Sequence, residues 1–255
     1  MAEEDKKILQ ALTMIKEAKK ILFITGAGIS TASGIADFRG ENGLYQQCKK
    51  KYALPYPEAI FDIKYFTKES PIPFYKLTKE FFEKEYKPSR FHSFISSLET
   101  KDKDVTIVTQ NIDGLHQKAG SKKVIAAHGD YSKSSCINCK KPYDPLLFIK
   151  NCKADKESRC SCGGLIKPHI VFFGENLPSP FMDIYLNPPK VDLCITCGTS
   201  LTVYPVADFA RIMALKTSSI LINNQLTPLD SLFSLVITSD LEKLADIFIT
   251  EIINK

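Results

Sequence analysis

The sequence predicts an α/β fold, in which a Rossmann-like, mostly parallel sheet carries helices on both faces. Short, continuously apolar runs recur along the chain and are typical of strands that are buried on both sides. These runs lie at residues 21–24, 105–108, 170–173, 191–197, 220–222 and 235–237. Apolar residues at helical spacing accompany them at 5–18, 205–215 and 241–253. Buried strands that alternate with helices predict a parallel sheet.

Two segments interrupt this alternation and predict a smaller lobe beside the sheet. Residues 42–88 combine aromatic residues, prolines and lysines with a helical patch at 73–85, and residues 131–167 carry four closely spaced cysteines. We therefore expect a Rossmann-like domain and a small domain that consists of a helical insertion and a cysteine-bearing module. The first is formed by residues 1–41, 89–130 and 168–255, and the second by residues 42–88 and 131–167.

Length, composition and charge describe an ordinary globular protein. The 255 residues are enough for one large domain with a small satellite, and 44% of them are hydrophobic, which allows a sizeable core. The net charge of +5 is modest, so we expect no direct nucleic-acid binding. The polar start does not resemble a signal peptide, and no apolar run reaches the roughly 18 residues of a membrane span. We expect an intracellular protein, cytoplasmic or nuclear, without a membrane partner.

The clustered cysteines predict a structural zinc site. Cys136 and Cys139 are separated from Cys160 and Cys162 by a stretch of 20 residues, and thiolates paired on two turns can surround zinc in a tetrahedron. A reducing compartment favours metal over disulfides. The second pair is one residue shorter than the common C-x-x-C, so Cys152 is an alternative ligand. A zinc ribbon that recruits partners or DNA without catalysis is an alternative function.

A glycine loop, Gly26-Ala27-Gly28, follows the first predicted strand. Glycines let backbone N–H groups approach a phosphate closely. Thr31 stands where the dinucleotide fingerprint has its third glycine, and no acidic residue ends a second strand about 20 residues further on. Taken alone, the loop fits either a nucleotide site or an ordinary strand-to-helix turn, and it argues against a dehydrogenase.

The continuation of this loop and four later motifs resemble those of the sirtuins, the NAD-dependent protein deacylases. The motifs occur in the family's order along the chain: Gly26-Ala27-Gly28-Ile29-Ser30 to Asp37-Phe38-Arg39, Thr109-Gln110-Asn111-Ile112-Asp113-Gly114-Leu115-His116, His128-Gly129, Pro168-His169-Ile170-Val171-Phe172-Phe173-Gly174-Glu175, and Gly198-Thr199-Ser200-Leu201 with Val203 and Pro205. Residues 54–61 resemble the class I branch, which includes eukaryotic tubulin and histone deacetylases.

The resemblance implies an NAD-dependent protein-lysine deacetylase that consumes NAD as a co-substrate. In sirtuins the acyl oxygen of an acylated lysine attacks C1′ of the NAD ribose, and the products are nicotinamide, deacylated lysine and O-acetyl-ADP-ribose. The catalytic residues would be His128, as general base for a ribose hydroxyl, and Asn111. Histidine suits this role because its unperturbed pKa lies near working pH. An NAD-dependent protein ADP-ribosyltransferase and a long-chain deacylase are the alternatives on this scaffold.

The resemblance also implies which residues contact NAD and the acylated peptide. Phe38 would cover the reactive carbon, and Asp113 would bond the nicotinamide carboxamide. The expected NAD contacts are Gly26, Ala27, Gly28, Ser30, Gly34, Ile35, Asp37, Phe38, Arg39, Gln110, Asn111, Ile112, Asp113, His128, Gly198, Thr199, Ser200, Val203, Asn223, Asn224 and Asp240. The peptide would add as a strand along Val171, Phe172, Phe173, Gly174 and Glu175.

The partners implied are acetylated lysine proteins or peptides such as histones or tubulin, and no oligomer is predicted. In the desuccinylase type of sirtuin, a Tyr and an Arg three residues apart hold an acidic acyl group. Here Tyr75 is followed at that spacing by Thr78, so a neutral acyl chain is favoured.

Overall fold

Within residues 3–38, 40 and 43–254, which the computed structural model describes, the main body is a parallel sheet of six strands in the order β3-β2-β1-β7-β8-β9. Three short strands in the same ranges form a separate antiparallel sheet in the order β5-β4-β6. The strands are β1 (Lys20–Thr25), β2 (Asp104–Thr109), β3 (Val124–Ala126), β4 (Ser134–Cys136), β5 (Pro142–Tyr143), β6 (Ile166–Pro168), β7 (Leu193–Cys197), β8 (Ser218–Asn223) and β9 (Leu235–Thr238).

Helices cover both faces of the parallel sheet, which confirms the predicted fold class. The α-helices are α1 (Glu3–Glu17), α2 (Leu44–Lys51), α3 (Ile72–Glu83), α4 (Arg90–Leu98), α5 (Leu115–Lys118), α6 (Pro145–Lys153), α7 (Ser179–Leu186), α8 (Val206–Lys216) and α9 (Leu241–Phe248). Among the described residues, no helix combines the length and the apolar character that crossing a membrane requires.

The alternation of side chains along β1 shows how the sheet is buried on both sides. Ile21 and Phe23 pack with apolar residues of α1, α4 and α9 on one face. Leu22 and Ile24 point the other way and pack with residues of α7 and α8. All four side chains are fully buried, as the period of two in a strand requires when both faces are covered.

A second hydrophobic core belongs to the small lobe, where α2, α3 and α6 pack around the antiparallel sheet. Aromatic rings dominate it and meet edge to face, a favourable arrangement for their quadrupoles. The rings of Phe74 and Phe172 lie 4.8 Å apart between centroids, and Phe61 lies 5.7 Å from Phe172. Residues 42–88 and 131–167 supply most of this lobe, and the division into two domains at those boundaries stays a prediction.

The predicted strand at residues 170–173 is wrong. In the described chain this segment joins neither sheet, and Phe173 forms an isolated bridge with Asp62. Its apolar residues have another use, because Ile170 and Phe172 are buried in the core of the small lobe. Phe173 remains 43% exposed. The predicted helix at 241–253 ends as an α-helix at Phe248 and continues as a π turn at Ile249–Ile253.

Candidate functional site

The candidate site lies where the direction of chain connection reverses in the parallel sheet. β1 and β7 are neighbours, but the chain runs from β1 towards β2 and β3 on one side and from β7 towards β8 and β9 on the other. Ligands of such sheets bind outside the carboxyl ends of the strands at this switch point. A cavity of about 730 Å³ opens there, and loops after β1, β2, β3, β7 and β8 line it together with residues of the small lobe.

Glycines allow the loops after β1 and β7 to pack directly on each other. The Gly28 N–H donates to the Gly198 carbonyl at 2.8 Å. A Cβ atom on Gly28 would lie 2.7 Å from Cα of Gly198, and Gly198 itself has a φ of 63°. Gly28 and Gly198 therefore allow the two loops to pack on each other. This role is additional to letting backbone N–H groups approach a phosphate.

The loop after β7 has the features of an anion site without a cationic side chain. Gly198 and Leu201 adopt positive φ angles of 63° and 54°, and turns of this kind expose backbone N–H groups. The hydroxyls of Ser200 and Thr202 lie 2.8 Å apart beside them. The described lining residues include neither lysine nor arginine. A bound phosphate would therefore be held by backbone and hydroxyl donors.

Asn111 is held rigidly and leaves one acceptor for a ligand. Its side-chain nitrogen donates to the Gly26 carbonyl at 3.0 Å and to Ser30 Oγ at 3.1 Å. Its Oδ1 is buried and has no hydrogen-bond partner among the described residues. Because an unsatisfied buried acceptor costs about 1–3 kcal/mol, this atom indicates that a donor from a ligand or a water completes the site.

Asp113 lies behind Asn111 and orients it through Ser30. The Ser30 hydroxyl donates to one carboxylate oxygen at 2.7 Å, and the Leu115 N–H donates to the other at 2.9 Å. Burial raises the pKa of Asp113 above its ordinary value, and these hydrogen bonds oppose the rise. Both oxygens are thus engaged within the protein.

His128 lines the cavity and is oriented by the backbone of the second motif. Its Nδ1 lies 3.0 Å from the Gln110 carbonyl oxygen, so Nδ1 must carry the proton to make a hydrogen bond. In that tautomer Nε2 holds the lone pair that a general base needs. The Gln110 side chain donates in turn to Thr199 Oγ1 at 2.9 Å, which ties the loops after β2 and β7 together.

The small-lobe side of the cavity is apolar. Phe38, Tyr45, Phe61, Ile112 and Phe172 line it, and the ring of Phe38 lies 5.6 Å from Tyr45 and 6.1 Å from Phe61 between centroids. Such a wall suits an apolar group next to the polar residues around Asn111.

Tyr75 and Thr78, from which the acyl preference was predicted, do not line this cavity. The Tyr75 hydroxyl donates to the Ile166 carbonyl at 2.7 Å, and Thr78 Oγ1 lies 3.1 Å from the hydroxyl of Tyr131. Both side chains therefore contribute to packing between α3 and the cysteine-bearing module, and the preference for a neutral acyl chain stays a prediction.

Most of the predicted contacts come together in the cavity, and a few do not. Lining residues that the sequence predicted are Gly26, Ala27, Gly28, Asp37, Phe38, Gln110, Asn111, Ile112, His128, Val171, Phe172, Phe173, Gly174, Glu175, Gly198, Thr199, Ser200, Val203, Asn223, Asn224 and Asp240. Ser30, Gly34, Ile35 and Asp113 are not lining residues. Gly34 ends the 3-10 turn Ala27–Ser33 with a φ of 85°. Arg39 lies outside the described residues.

Sequence reasoning missed lining residues in the insertion and one buried lysine. Tyr45 and Phe61 line the cavity although no motif includes them. Lys167 is 7% exposed, and a signal for it existed, because it is a lone charged residue between Leu165-Ile166 and Pro168.

The four predicted cysteines form a cluster with the dimensions of a zinc site. Their Sγ atoms all lie within 4.8 Å of one another, with 3.5 Å between Cys136 and Cys162 and 3.7 Å between Cys139 and Cys160. Zn–S bonds of about 2.3 Å in a tetrahedron place sulfur atoms about 3.8 Å apart. These residues therefore fit a structural zinc ion.

The pKa values of Cys139 and Cys160 shift in opposite directions, and Cys152 does not take part in the cluster. The backbone N–H of Cys162 is the main cause that lowers the pKa of Cys160 to about 6, whereas the pKa of Cys139 is raised to about 11 beside Cys162 and Cys136, so the assignment rests on the sulfur distances. Cys152 instead lies in the apolar core of the small lobe, where burial raises its pKa to about 12.

Comparison with known proteins places this arrangement in a family. The Sir2 family matches residues 26–205. The NAD-dependent protein deacetylase sir-2.1 of Caenorhabditis elegans is 40% identical over 224 residues, which are 87% of this chain and 37% of the nematode protein. The NAD-dependent protein deacetylase of Thermotoga maritima is 38% identical over 244 residues, which are 94% of this chain and 96% of the bacterial protein.

The fold agrees with that assignment. A solved structure of Sir2 with a p53 peptide and NAD+ is 35% identical, with a TM-score of 0.81, and the match covers 95% of this chain and 97% of that one. The chain spans less than half of the length of the nematode relative. Its family match nevertheless includes the glycine loop, His128, the four cysteines and the loop after β7, and the chain belongs to the Sir2 family.

Proposed function

We propose that this protein is an NAD-dependent protein-lysine deacetylase with a structural zinc ion. The observation that carries the proposal is the meeting of His128, Asn111 and the apolar wall around Phe38 in one cavity at the switch point of the sheet. The deacetylases to which the chain is similar support the same activity.

The cavity offers NAD the groups that it needs. Bound NAD would supply an electrophilic ribose carbon, C1′, which the acyl oxygen of the substrate attacks as nicotinamide departs. Backbone and hydroxyl donors after β7 would hold the phosphates, and Asn111 would offer its unpaired Oδ1 to a donor near the ribose. His128 would take a proton from a ribose hydroxyl at Nε2, and Phe38 would exclude water from the reacting carbon.

The acylated peptide is proposed to lie along residues 171–175. On one edge of this segment, the Phe173 N–H donates to the Phe61 carbonyl and the Ile63 N–H donates to the Phe173 carbonyl. Residues 171–175 also line the cavity. Backbone pairing on the opposite edge would give affinity with little reading of sequence. Acetylated proteins such as histones or tubulin fit this chemistry. The zinc thiolates fit the reducing interior of a cell, in the cytoplasm or the nucleus.

A panel of acyl-lysine peptides with NAD and the zinc-loaded protein, read by mass spectrometry, tests the proposal. We expect nicotinamide, deacetylated peptide and O-acetyl-ADP-ribose in equal amounts. His128→Tyr should lower turnover by roughly 10²–10⁴-fold, which is the usual contribution of a general base, while zinc content stays unchanged. Label from NAD fixed on protein would indicate ADP-ribosyl transfer instead, and NAD left intact with every peptide would overturn the proposal.

A further inference from the structure

Lys167, at the centre of β6, has a buried ammonium group with a complete set of partners. Its side chain is only 8% exposed. Nζ donates to the carbonyl oxygens of Pro168 at 3.0 Å and Ile170 at 2.5 Å, and it lies 3.0 Å from Glu175 Oε2. It also stands 4.4 Å from the ring centroid of Phe172, which is a cation–π distance. Each of the three N–H donors of the ammonium group thus has one oxygen acceptor.

All of these partners belong to residues 168–175, the segment that would receive the acylated peptide. Pro168 still pairs with β4, but from His169 onwards no sheet ladder among the described residues holds this segment. Single backbone hydrogen bonds hold it instead, from the N–H groups of His169, Val171 and Phe173 to the carbonyls of Lys133, His128 and Phe61. Glu175 Oε2 accepts a further hydrogen bond, of 2.8 Å, from the N–H of Phe172. The Lys167–Glu175 pair adds to these single bonds, because it joins the start of the segment, at Pro168 and Ile170, to its end at Glu175.

The pair is attached to the cysteine-bearing module. β6 pairs with β4, and the register places Ile166, the neighbour of Lys167, opposite Cys136. Lys167 does not line the large cavity. It lines a second cavity of about 310 Å³ behind the segment, together with Ser135 and His169. Its influence on the site must therefore pass through residues 168–175.

We propose that Lys167 is a positioning residue for the acylated peptide and not for NAD. It holds residues 168–175 so that Val171 and Glu175 face the cavity. The inference rests on the proposed function, since it names the element that shapes the peptide side of the same site. The loops after β1, β7 and β8 are anchored in the parallel sheet, so the NAD side should not depend on Lys167.

Steady-state kinetics of Lys167→Met separates these two sides. Methionine keeps the length of the side chain and removes its donors and its charge. We expect KM for an acetylated peptide to rise at least roughly tenfold while KM for NAD changes less than about twofold. Lys167→Arg, which keeps charge and donors, should recover part of the peptide affinity. Lys153→Met, at an exposed position on α6, is the matched control and should behave as the unchanged protein.

The double variant Lys167→Met/Glu175→Gln distinguishes positioning from the cost of an unpaired buried charge. It removes the charge imbalance but does not rebuild the contacts to the two carbonyls, so KM for the peptide should stay high. A return to the unchanged KM would overturn the positioning role, and so would equal rises in KM for peptide and NAD.

Amide hydrogen exchange provides a readout that does not need activity. In Lys167→Met, the N–H groups of Val171, Phe172 and Phe173 should exchange at least about tenfold faster, while those of β1 and β7 keep their rates. If the protein deacetylates no peptide, the proposed function fails and this measurement still decides the role of Lys167. Unchanged exchange at these three amides would overturn it. If Lys167→Met does not fold, the same exchange rates are measured on Lys167→Arg. Unchanged rates are expected in that variant, and a uniform rise throughout the parallel sheet would refute a local role of Lys167.

Discussion

His92 makes the stability of this fold depend on pH between about 6.5 and 4. Its side chain is fully buried on α4, and burial lowers its pKa from 6.5 to about 4. His116 of α5 lies beside it, with 4.6 Å between ring centroids, and burial together with His92 lowers the pKa of His116 as well. Both rings are therefore neutral in the folded protein.

The direction of the effect follows from proton binding. The unfolded chain takes up protons as the pH falls through 6.5, and the folded protein does not take up the proton of His92 until about pH 4. The stability that the neutral ring contributes is complete above pH 6.5 and is lost as the pH falls towards 4. For a pKa of 6.5 unfolded and about 4 folded, the loss from His92 is about 2 kcal/mol at pH 5 and about 3 kcal/mol at its limit. His116 adds a loss of the same sign.

The variant His92→Gln tests this magnitude, because glutamine does not titrate and preserves the start of the helix. His92 completes a capping box, in which its N–H donates to Ser89 Oγ and its Nδ1 accepts from the Ser89 N–H. Glutamine is a favoured residue at this position of a capping box. The substitution therefore removes the titrating group at little local cost.

The assay is urea unfolding of both proteins at pH 7.5 and pH 5.0. The loss of unfolding free energy between the two pH values should be at least about 2 kcal/mol smaller in His92→Gln than in the unchanged protein, since the variant also removes the effect of His92 on His116. The cysteine cluster also responds to pH, but it is common to both proteins and cancels in the comparison. An equal pH dependence in the two proteins would refute a buried neutral His92.

Two further predictions concern the zinc cluster and one glycine. Removing zinc with a chelator should lower the melting temperature and abolish deacetylation, because binding energy of about 10–16 kcal/mol is linked to folding in structural zinc sites. Adding zinc should restore the melting temperature and the activity. A zinc-free protein with an unchanged melting curve would contradict a structural role. Gly129→Ala should cost at least about 3 kcal/mol in urea unfolding, since its Cβ would lie 1.8 Å from the His169 carbonyl oxygen. Gly34→Ala is the matched control, because the φ of Gly34 is also positive but no atom lies within 4 Å of its Cβ position. This variant should lose only about 1–2 kcal/mol of unfolding free energy. Equal losses in the two variants would show that the contact at Gly129 does not matter.

The sequence predicted correctly those features that depend on residues close together in the chain, such as buried strands and the spacing of metal-binding cysteines. Continuous apolar runs located β1, β2, β7, β8 and β9, since strands buried on both faces have no polar alternation. The short spacing within each cysteine pair located the zinc cluster, because two such pairs can surround one metal ion. Residues 170–173 had an identical apolar signal, but their burial is in the small lobe and not in the sheet, and hydropathy does not distinguish the two.

Other features depend on which distant residues meet, and local patterns do not encode that. Tyr45 and Phe61 reach the cavity only because the small lobe packs over the sheet. Lys167 is visible in the sequence only as a lone charged residue in an apolar stretch, and its carbonyl partners are seen only in the structure. The roles assigned to individual residues by motif stay predictions until the variants above are measured.

The neighbouring positions of β1 and β7 have a consequence for synthesis of the chain. The two loops that pack through Gly28 and Gly198 are adjacent in space but belong to opposite parts of the sequence. A nascent chain can pair β1 with β2 and β3 early, because these contacts need only the first half of the protein. It has no dinucleotide cavity until residues beyond Gly198 have left the ribosome and β7 has joined β1. NAD can therefore stabilise only the finished fold, and a truncated product should gain nothing from it.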